Sequence, residues 1–525
     1  MALNTFDELG ITRTPELIFG LVGPIGVNME LVQQKLESAL ISVGYKPVSI
    51  KATEQMLKIK TDIVLASEKN PRDYYQSRMD YANKVREKCE NDAALAALSI
   101  LAIKNYRAEF HRKNESNDDE KDISGIAPID RPVKGTAYII RQFKRKEEIT
   151  HLRAVYGKKF IQISAHASQA DREKSIVRRI AKATSNLTRD EIEEVAKQLI
   201  NRDYNESKAP HGQRVKDVFY RGDVFVNAKS EATAENTITR FIQAFFGKNS
   251  ISPEKHEYGA YIAASASLRS IDTSRQIGAA IFTDAGEIIA MGSNEVPKAG
   301  GGTYWPDGEI EPHRDFDDKR DPNSVRKRRI MFDLLDRLNT SGFLKDSRKL
   351  SDERYSSIIE DRAIRKSLLN DITEYGRMAH AEMNAITDAA RLGRATKDAI
   401  LFSTTFPCHN CAKHIVAAGI KEVIFIEPYP KSQAIKLNDD SICIEEDNTG
   451  KVVFKHFVGI SPKRYRDIFE KGKRRDNNGN FKEWYENEPA PRVTDRGAGY
   501  VLNESSAIYS VLDKVFDELS PIDDE

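Results

Sequence analysis

Cysteine is scarce in this chain. Cys89, Cys408, Cys411 and Cys443 are the four in 525 residues. That is too few for a disulfide scaffold, and two of them stand as a C-x-x-C pair. Long apolar runs are missing as well, so no segment reads as a membrane span. The opening stretch, MALNTFDELG, has no basic region followed by an apolar one, which sets aside a secretion signal. Neither sign of charge is in excess: 81 Lys and Arg face 80 Asp and Glu. That balance argues against broad electrostatic adhesion to nucleic acid or membrane, while leaving room for a local basic patch. There is no internal repeat or extended low-complexity tract. The expectation is a cytoplasmic protein of two or three domains, each long enough to bury a core.

The first part of the chain reads as α/β. ELIFGLV (16–22) is an apolar run of strand length, and GPIGVN follows as a Gly-rich turn. MELVQQKLESALISVG carries Val32, Leu36 and Leu40 at helical spacing and stops at Gly44; KPVSIKA is a second strand. GTAYIIRQF and KKFIQISAH read as further strands on either side of the helical KRKEEITHLRAVYG, and RVKDVFYRGDVFVNA closes the unit. The polar stretch KNESNDDEKD (113–122) reads as a mobile loop. The turn after the first strand occupies the place of a Walker A loop, G-x-x-x-x-G-K-[ST]. Gly23 and Gly26 keep it permissive, but Asn28, Met29 and Glu30 stand where the motif needs glycine, lysine and a hydroxyl. The placement fits a P-loop and the kinase chemistry does not. What remains is a degenerate scaffold, or a regulatory nucleotide site at Gly23 and Gly26 whose loop amides still hold an anion.

A second unit begins after FFGKNSISPEKH (245–256). A helix around 258–269 leads to QIGAAIFTDAGEIIAMGSN, two strands joined by a tight turn near 284–286. Residues 298–367 are charged and irregular, then helical, and read as an insertion. A helix at 380–392, the strand AILFST, a helix at 408–418 and the strand EVIFIEP follow. KVVFKHFVGISPKRYRDIF is a strand and then a helix, and KRRDNNGNFKEWYENEPAPR reads as loop.

Two stretches of this unit carry chemistry: MAHAEMNAI (378–386) and TTFPCHNCAKHI (404–415). A catalytic zinc takes three protein ligands and keeps a fourth position for water, and His380, Cys408 and Cys411 supply that number. The cysteines fall in the first turn of a helix, where the helix N-terminus favours thiolates. Glu382 sits two residues past His380, beside the metal without ligating it, as the acid/base that moves a water proton to a leaving amino group. Alone, His-Ala-Glu is an ordinary surface pattern, and a C-x-x-C serves structural metals and redox pairs equally. A structural zinc would want a fourth ligand, for which His414 and Cys443 are the candidates.

In combination and order, the two stretches match the H-x-E…P-C-x-x-C pattern of zinc nucleobase deaminases. With SLRSIDTSRQIGAAIFTDAGEIIAMGSNEVP and PYPKSQA, over roughly 254–470, the chain resembles the deoxycytidylate deaminases of the cytidine deaminase-like α/β/α superfamily. The resemblance implies Zn2+ as cofactor and hydrolytic deamination of dCMP and/or dCTP. It assigns Asn294 to the sugar and base, the backbone of Ala381 to the base, and Thr405 and Phe406 to the pocket wall. Arg275, Lys298 and Lys431 are candidate phosphate contacts. Joined to a P-loop-like N-terminal domain, the architecture is similar to bacterial anti-phage dCTP/dCMP deaminases, which implies depletion of dCTP and a homo-oligomer.

Two other functions share parts of this pattern. One is a polynucleotide cytosine deaminase acting on RNA or single-stranded DNA, which would want a basic groove with aromatics. The other is a nucleotide-binding sensor with a non-catalytic deaminase fold. The expected division is a degenerate P-loop kinase-like domain at 1–245, a mixed-sheet deaminase domain at 246–470 with its insertion at about 298–367, and an extension at 471–525.

Overall fold

A computed structural model describes residues 12–115, 126–183, 187–308, 311–317, 319, 321–344, 352–372, 375–445, 450–493 and 496–519. The chain divides into two compact units, Met1–Glu257 with Val458–Glu525, and Tyr258–Phe457. Residues 458–519 thus pack with the first unit, where the sequence pattern set 471–525 apart as an extension.

The first unit is built on β1 (Leu17–Val22), β2 (Lys46–Lys51), β3 (Thr136–Arg141), β4 (Phe160–His166) and β5 (Val224–Asn227), parallel in the order 5-4-1-3-2. All six residues of β1 are buried, as expected of a central parallel strand covered on both faces. Helix α1 (Met29–Ile41) returns the chain from β1 to β2. Asn28 caps it by accepting the Leu31 amide at 3.1 Å, and Gly44, at φ +80°, makes the turn that follows it. Helices α2 (Pro71–Lys88) and α3 (Ala94–Glu115) intervene before β3, α4 (Lys146–Tyr156) precedes β4, and α5 (Gln169–Ala183) and α6 (Arg189–Tyr204) precede β5. The polar segment 113–122 continues α3 as far as Glu115, and its remainder lies outside the described residues. Helix α7 (Glu231–Phe245) packs its Ile238, Phe241 and Phe245 into the core formed by Val32, Leu36 and Leu40 of α1 and by β1.

The second unit opens within helix α8 (Lys255–Ser267), from Tyr258 on, and continues to the antiparallel pair β6 (Gly278–Phe282) and β7 (Ile288–Ser293). Gly286, at φ +105°, makes the turn between these two strands. Next come β8 (Ile400–Thr405), β9 (Glu422–Glu427), β10 (Ile442–Ile444) and β11 (Val452–His456), in the sheet order 10-11-9-8-6-7. Strands 8, 9, 11 and 10 run parallel, and β6 is antiparallel to both neighbours, so the sheet is mixed. The inserted segment forms α9 (Pro322–Thr340) and α10 (Asp352–Glu360). Helix α11 (Ala381–Arg391) buries Ala381, Ala385 and Ala389, and α12 (His409–Ala417) buries Ala412 and Ile415, in one core with Ile281 of β6, Ile289 of β7 and Leu401 of β8. After β11 the chain returns to the first unit. There β12 (Gly459–Ile460) pairs antiparallel with β5, followed by α13 (Pro462–Phe469) and α14 (Tyr500–Leu512). Among the described residues no helix is long and apolar enough to cross a membrane.

Candidate metal centre and pocket

His380 and Cys408 are the residues immediately before α11 and α12, and Cys411 lies in the first turn of α12. Both helices therefore aim their N-termini at one point. The His380 Nδ1 atom lies 3.3 Å from Cys408 Sγ and 3.4 Å from Cys411 Sγ, and the three ligand atoms lie within 4.8 Å of one another. A tetrahedron with ordinary zinc–nitrogen and zinc–sulfur bonds separates N and S by about 3.6 Å. The nitrogen–sulfur spacing is thus close to that of a zinc site, and the donor set of one imidazole and two thiols suits the same metal. Among the described residues neither His414 nor Cys443 joins the cluster, which leaves three candidate ligands, the number a catalytic zinc takes.

The electrostatics of the cluster are coupled. A hydrogen bond from Cys411, helped by His380, holds the Cys408 thiol down to about 4. The bond to Cys408 lifts His380 to about 9, and the Cys411 thiol, bonded to Cys408 and buried, is pushed up. Glu382 is 4% exposed, and burial raises its carboxyl above the usual range. One of its oxygens lies 3.5 Å from Cys411 Sγ, and the other accepts a hydrogen bond from Ser403 Oγ at 3.3 Å. Ser403 comes from β8. A serine in an apolar strand carries no motif, and the only trace in AILFST is a polar residue at an inward position.

A cavity of about 290 Å³ opens over this cluster. His380, Glu382 and Cys408 line it, together with Asn294, Thr405, Phe406, Arg275 and Lys431. Ala381 is fully buried and does not line it, and Lys298 does not either. Asn294, 4% exposed, spends both ends of its amide on the protein: Oδ1 accepts the Ile277 amide and Nδ2 donates to the Arg275 carbonyl, each at 2.7 Å. It thereby fastens the wall segment 272–277. The inserted segment also reaches the cavity through Asp315, Asp321 and Asn323, which no motif announced. Gly23 and Gly26 belong to the first unit. There the Met29 sulfur packs against Gly23, Arg172 packs against Gly26, and the Ile25 amide donates to the buried Asp203 carboxylate at 2.7 Å.

Residues 253–427 match the family described as the cytidine and deoxycytidylate deaminase zinc-binding region. The chain carries a cytidine/deoxycytidylate deaminase-family domain. Its relatives include the deoxycytidylate deaminase of Enterobacteria phage T2, 44% identical over 54 residues, which are 10% of this chain and 29% of that protein. The deoxycytidylate deaminase of Mus musculus is 32% identical over 99 residues, 19% of this chain and 48% of that protein. The chain thus spans less than half the length of either relative. Among solved structures, the dCMP deaminase from the cyanophage S-TIM5 aligns over 39% of this chain and 99% of its own, at 18% identity and a TM-score of 0.21.

Proposed function

We propose that the protein catalyses zinc-dependent hydrolytic deamination of deoxycytidine nucleotides, dCMP and/or dCTP, to their deoxyuridine counterparts. The observation that carries this reading is the buried Glu382 carboxylate beside the His380, Cys408 and Cys411 cluster, inside a deaminase-family domain. Zinc held by those three residues would lower the pKa of a water at the fourth position. Glu382 takes a proton from the water that adds to C4 of cytosine and delivers it to the leaving amino group, so that water is consumed and ammonia released. Burial raises the proton affinity of Glu382, the direction a proton carrier needs. Ser403 orients the carboxylate from below, and Thr405 and Phe406 form the wall on which the base would rest.

The reading extends, on the resemblance of the two-part architecture alone, to depletion of dCTP in defence against phage, and to a homo-oligomer. For the first unit it favours a regulatory or assembly role over phosphoryl transfer. The loop lacks the lysine and hydroxyl that phosphoryl transfer requires, and its Ile25 amide is already engaged by Asp203.

The test is turnover. Full-length protein with zinc, beside Glu382→Ala, is incubated with dCMP, dCTP, CMP, CTP and a cytosine-containing oligonucleotide, and uracil products are scored. Conversion of dCMP or dCTP is expected, falling about 10²-fold or more in the variant with zinc retained. Conversion of the oligonucleotide alone would replace this reading with nucleic-acid editing.

A further inference from the structure

We propose that Glu427 is a specificity-determining residue: it holds Arg275 at the pocket wall and sets how much negative charge a bound nucleotide can carry there. The inference rests on the nucleotide reading above and adds the residue that tunes it. Glu427 ends β9, where its carbonyl accepts the Phe406 amide at 2.7 Å and its backbone pairs in register with Thr405. Its position is therefore tied to the segment that leads into Pro407 and Cys408. From there its carboxylate reaches the Arg275 guanidinium at 3.0 Å.

Arg275 is fixed from three other directions. Its carbonyl accepts Asn294 Nδ2 at 2.7 Å, its amide donates to Asp272 Oδ1 at 3.4 Å, and its guanidinium lies 5.4 Å from the centre of the Tyr429 ring. Arg275, Tyr429 and Lys431 line the same cavity as His380 and Glu382, whereas Glu427 is not among the lining residues.

A guanidinium has five donors in a rigid fork. One oxygen contact to Glu427 leaves donors for a phosphate, in the bidentate manner for which Arg is suited. The neighbouring carboxylate also cancels much of the field a phosphate would feel. Two of the acids in the lining are committed to the backbone: Asp272 accepts the Ser274 amide and Asp321 caps α9. Glu427 is the acid in direct contact with the lining guanidinium. Asp272, Asp315 and Asp321 add a background of negative charge to the same lining, and Glu427 is the carboxylate next to the guanidinium that a phosphate on Arg275 would meet first; each further phosphate brings more charge against it.

The experiment measures binding of three uracil products to the full-length protein by calorimetry: deoxyuridine, dUMP and dUTP. They differ in charge and share base and sugar. Glu427→Gln keeps the shape and the hydrogen-bond acceptor and removes the charge. It is expected to tighten dUTP by about fivefold, dUMP by less, and deoxyuridine not at all. Arg275→Gln is expected to weaken dUMP and dUTP by about tenfold or more and to leave deoxyuridine unchanged. Zinc content, equal in all three proteins, reports that the site is intact. Equal effects on the three ligands in either variant would overturn the proposal, as would wild-type protein that binds none of them. Charge-dependent binding without turnover of deoxycytidine nucleotides would sink the deaminase reading and leave this inference standing. Turnover with charge-independent binding would do the reverse.

Discussion

His380, Cys408 and Cys411 must part with protons before they can hold a metal, and their shifted affinities fix how many. With zinc stripped by a chelator at neutral pH, Cys408, held to about 4, is a thiolate. His380, raised to about 9, is an imidazolium, and Cys411 is a thiol. Zinc takes neutral imidazole and two thiolates, so rebinding at pH 7 releases about two protons, one from His380 and one from Cys411. The sign follows: a raised affinity for the competing proton weakens zinc binding at low pH, so zinc affinity climbs as pH rises, with the His380 contribution ending near pH 9 and the Cys411 contribution, from a thiol pushed up, continuing above it. Calorimetry in buffers of different ionisation enthalpy counts the protons, and a count near zero would contradict the thiolate–imidazolium pair. That these three residues come together beside Glu382 was legible in the sequence, because a zinc site would restrict both the residue types and their spacing at helix starts. Ser403 and Glu427 were not. A strand serine and a strand-end glutamate are ordinary, and Glu427 meets Arg275 across 152 positions, a separation that no local pattern encodes.

Helix α11 and strand β7 meet backbone to backbone. A Cβ added at Gly292 would lie 2.1 Å from the Ala381 carbonyl oxygen and 2.6 Å from the Ala385 nitrogen. Asn384 closes the same contact by donating to the Ser293 carbonyl at 2.6 Å and to the Ala379 carbonyl at 3.1 Å, while Glu295 and Ala379 exchange both backbone hydrogen bonds at 3.2 Å. The residue before His380 and the residue after Asn294 are thus bound together, which sets His380 against the pocket wall. Gly292→Ala is expected to push α11 off the strand, cost about 1–3 kcal/mol, and lower zinc retention. Gly499→Ala, where the added Cβ meets nothing within 4 Å, is the control. Thermal melts and zinc stoichiometry read both, and equal stability of the two variants would show that α11 yields without consequence. The elements themselves were legible: apolar runs marked β1, β3, β4 and the β6–β7 pair, and the turn at Gly286 falls where the sequence places it. The closeness of α11 to β7 was not, since Gly292 in MGSN reads only as the end of a strand. The pairing of β12 with β5 joins residues more than two hundred positions apart and was likewise invisible.

The C-terminal segment is structural to the first unit, and the buried charges show how. Glu16, Arg107 and Glu504 are fully or almost fully buried. Arg107 donates to Glu16 at 2.7 Å and 3.1 Å and to Glu504 at 2.5 Å and 2.9 Å. Tyr138 and Tyr500 donate to Glu16, and Tyr156 donates to Glu504. Glu504 and Tyr500 belong to α14, so this network joins the start of β1, helix α3 and the C-terminal helix. Arg464 of α13, 3% exposed, meets Asp223 at 3.1 Å and the Phe160 carbonyl at 2.6 Å, securing the loop before β5 and the start of β4. A chain ended at Phe457 would lose Arg464, Tyr500 and Glu504 at once. Arg107 would keep Glu16, but Tyr156 and the second half of the guanidinium would face the space α14 had filled, and Asp223 would lose Arg464. Breaking one buried pair costs about 3–5 kcal/mol, comparable with the stability of a whole domain. The shortened chain is therefore expected to expose residues 12–257 to limited proteolysis. It should still bind zinc, because His380, Cys408 and Cys411 with all their supporting strands lie within 258–457. A protease-resistant first unit in the shortened protein would show instead that 458–519 is an appendage, and that the buried network is dispensable for folding.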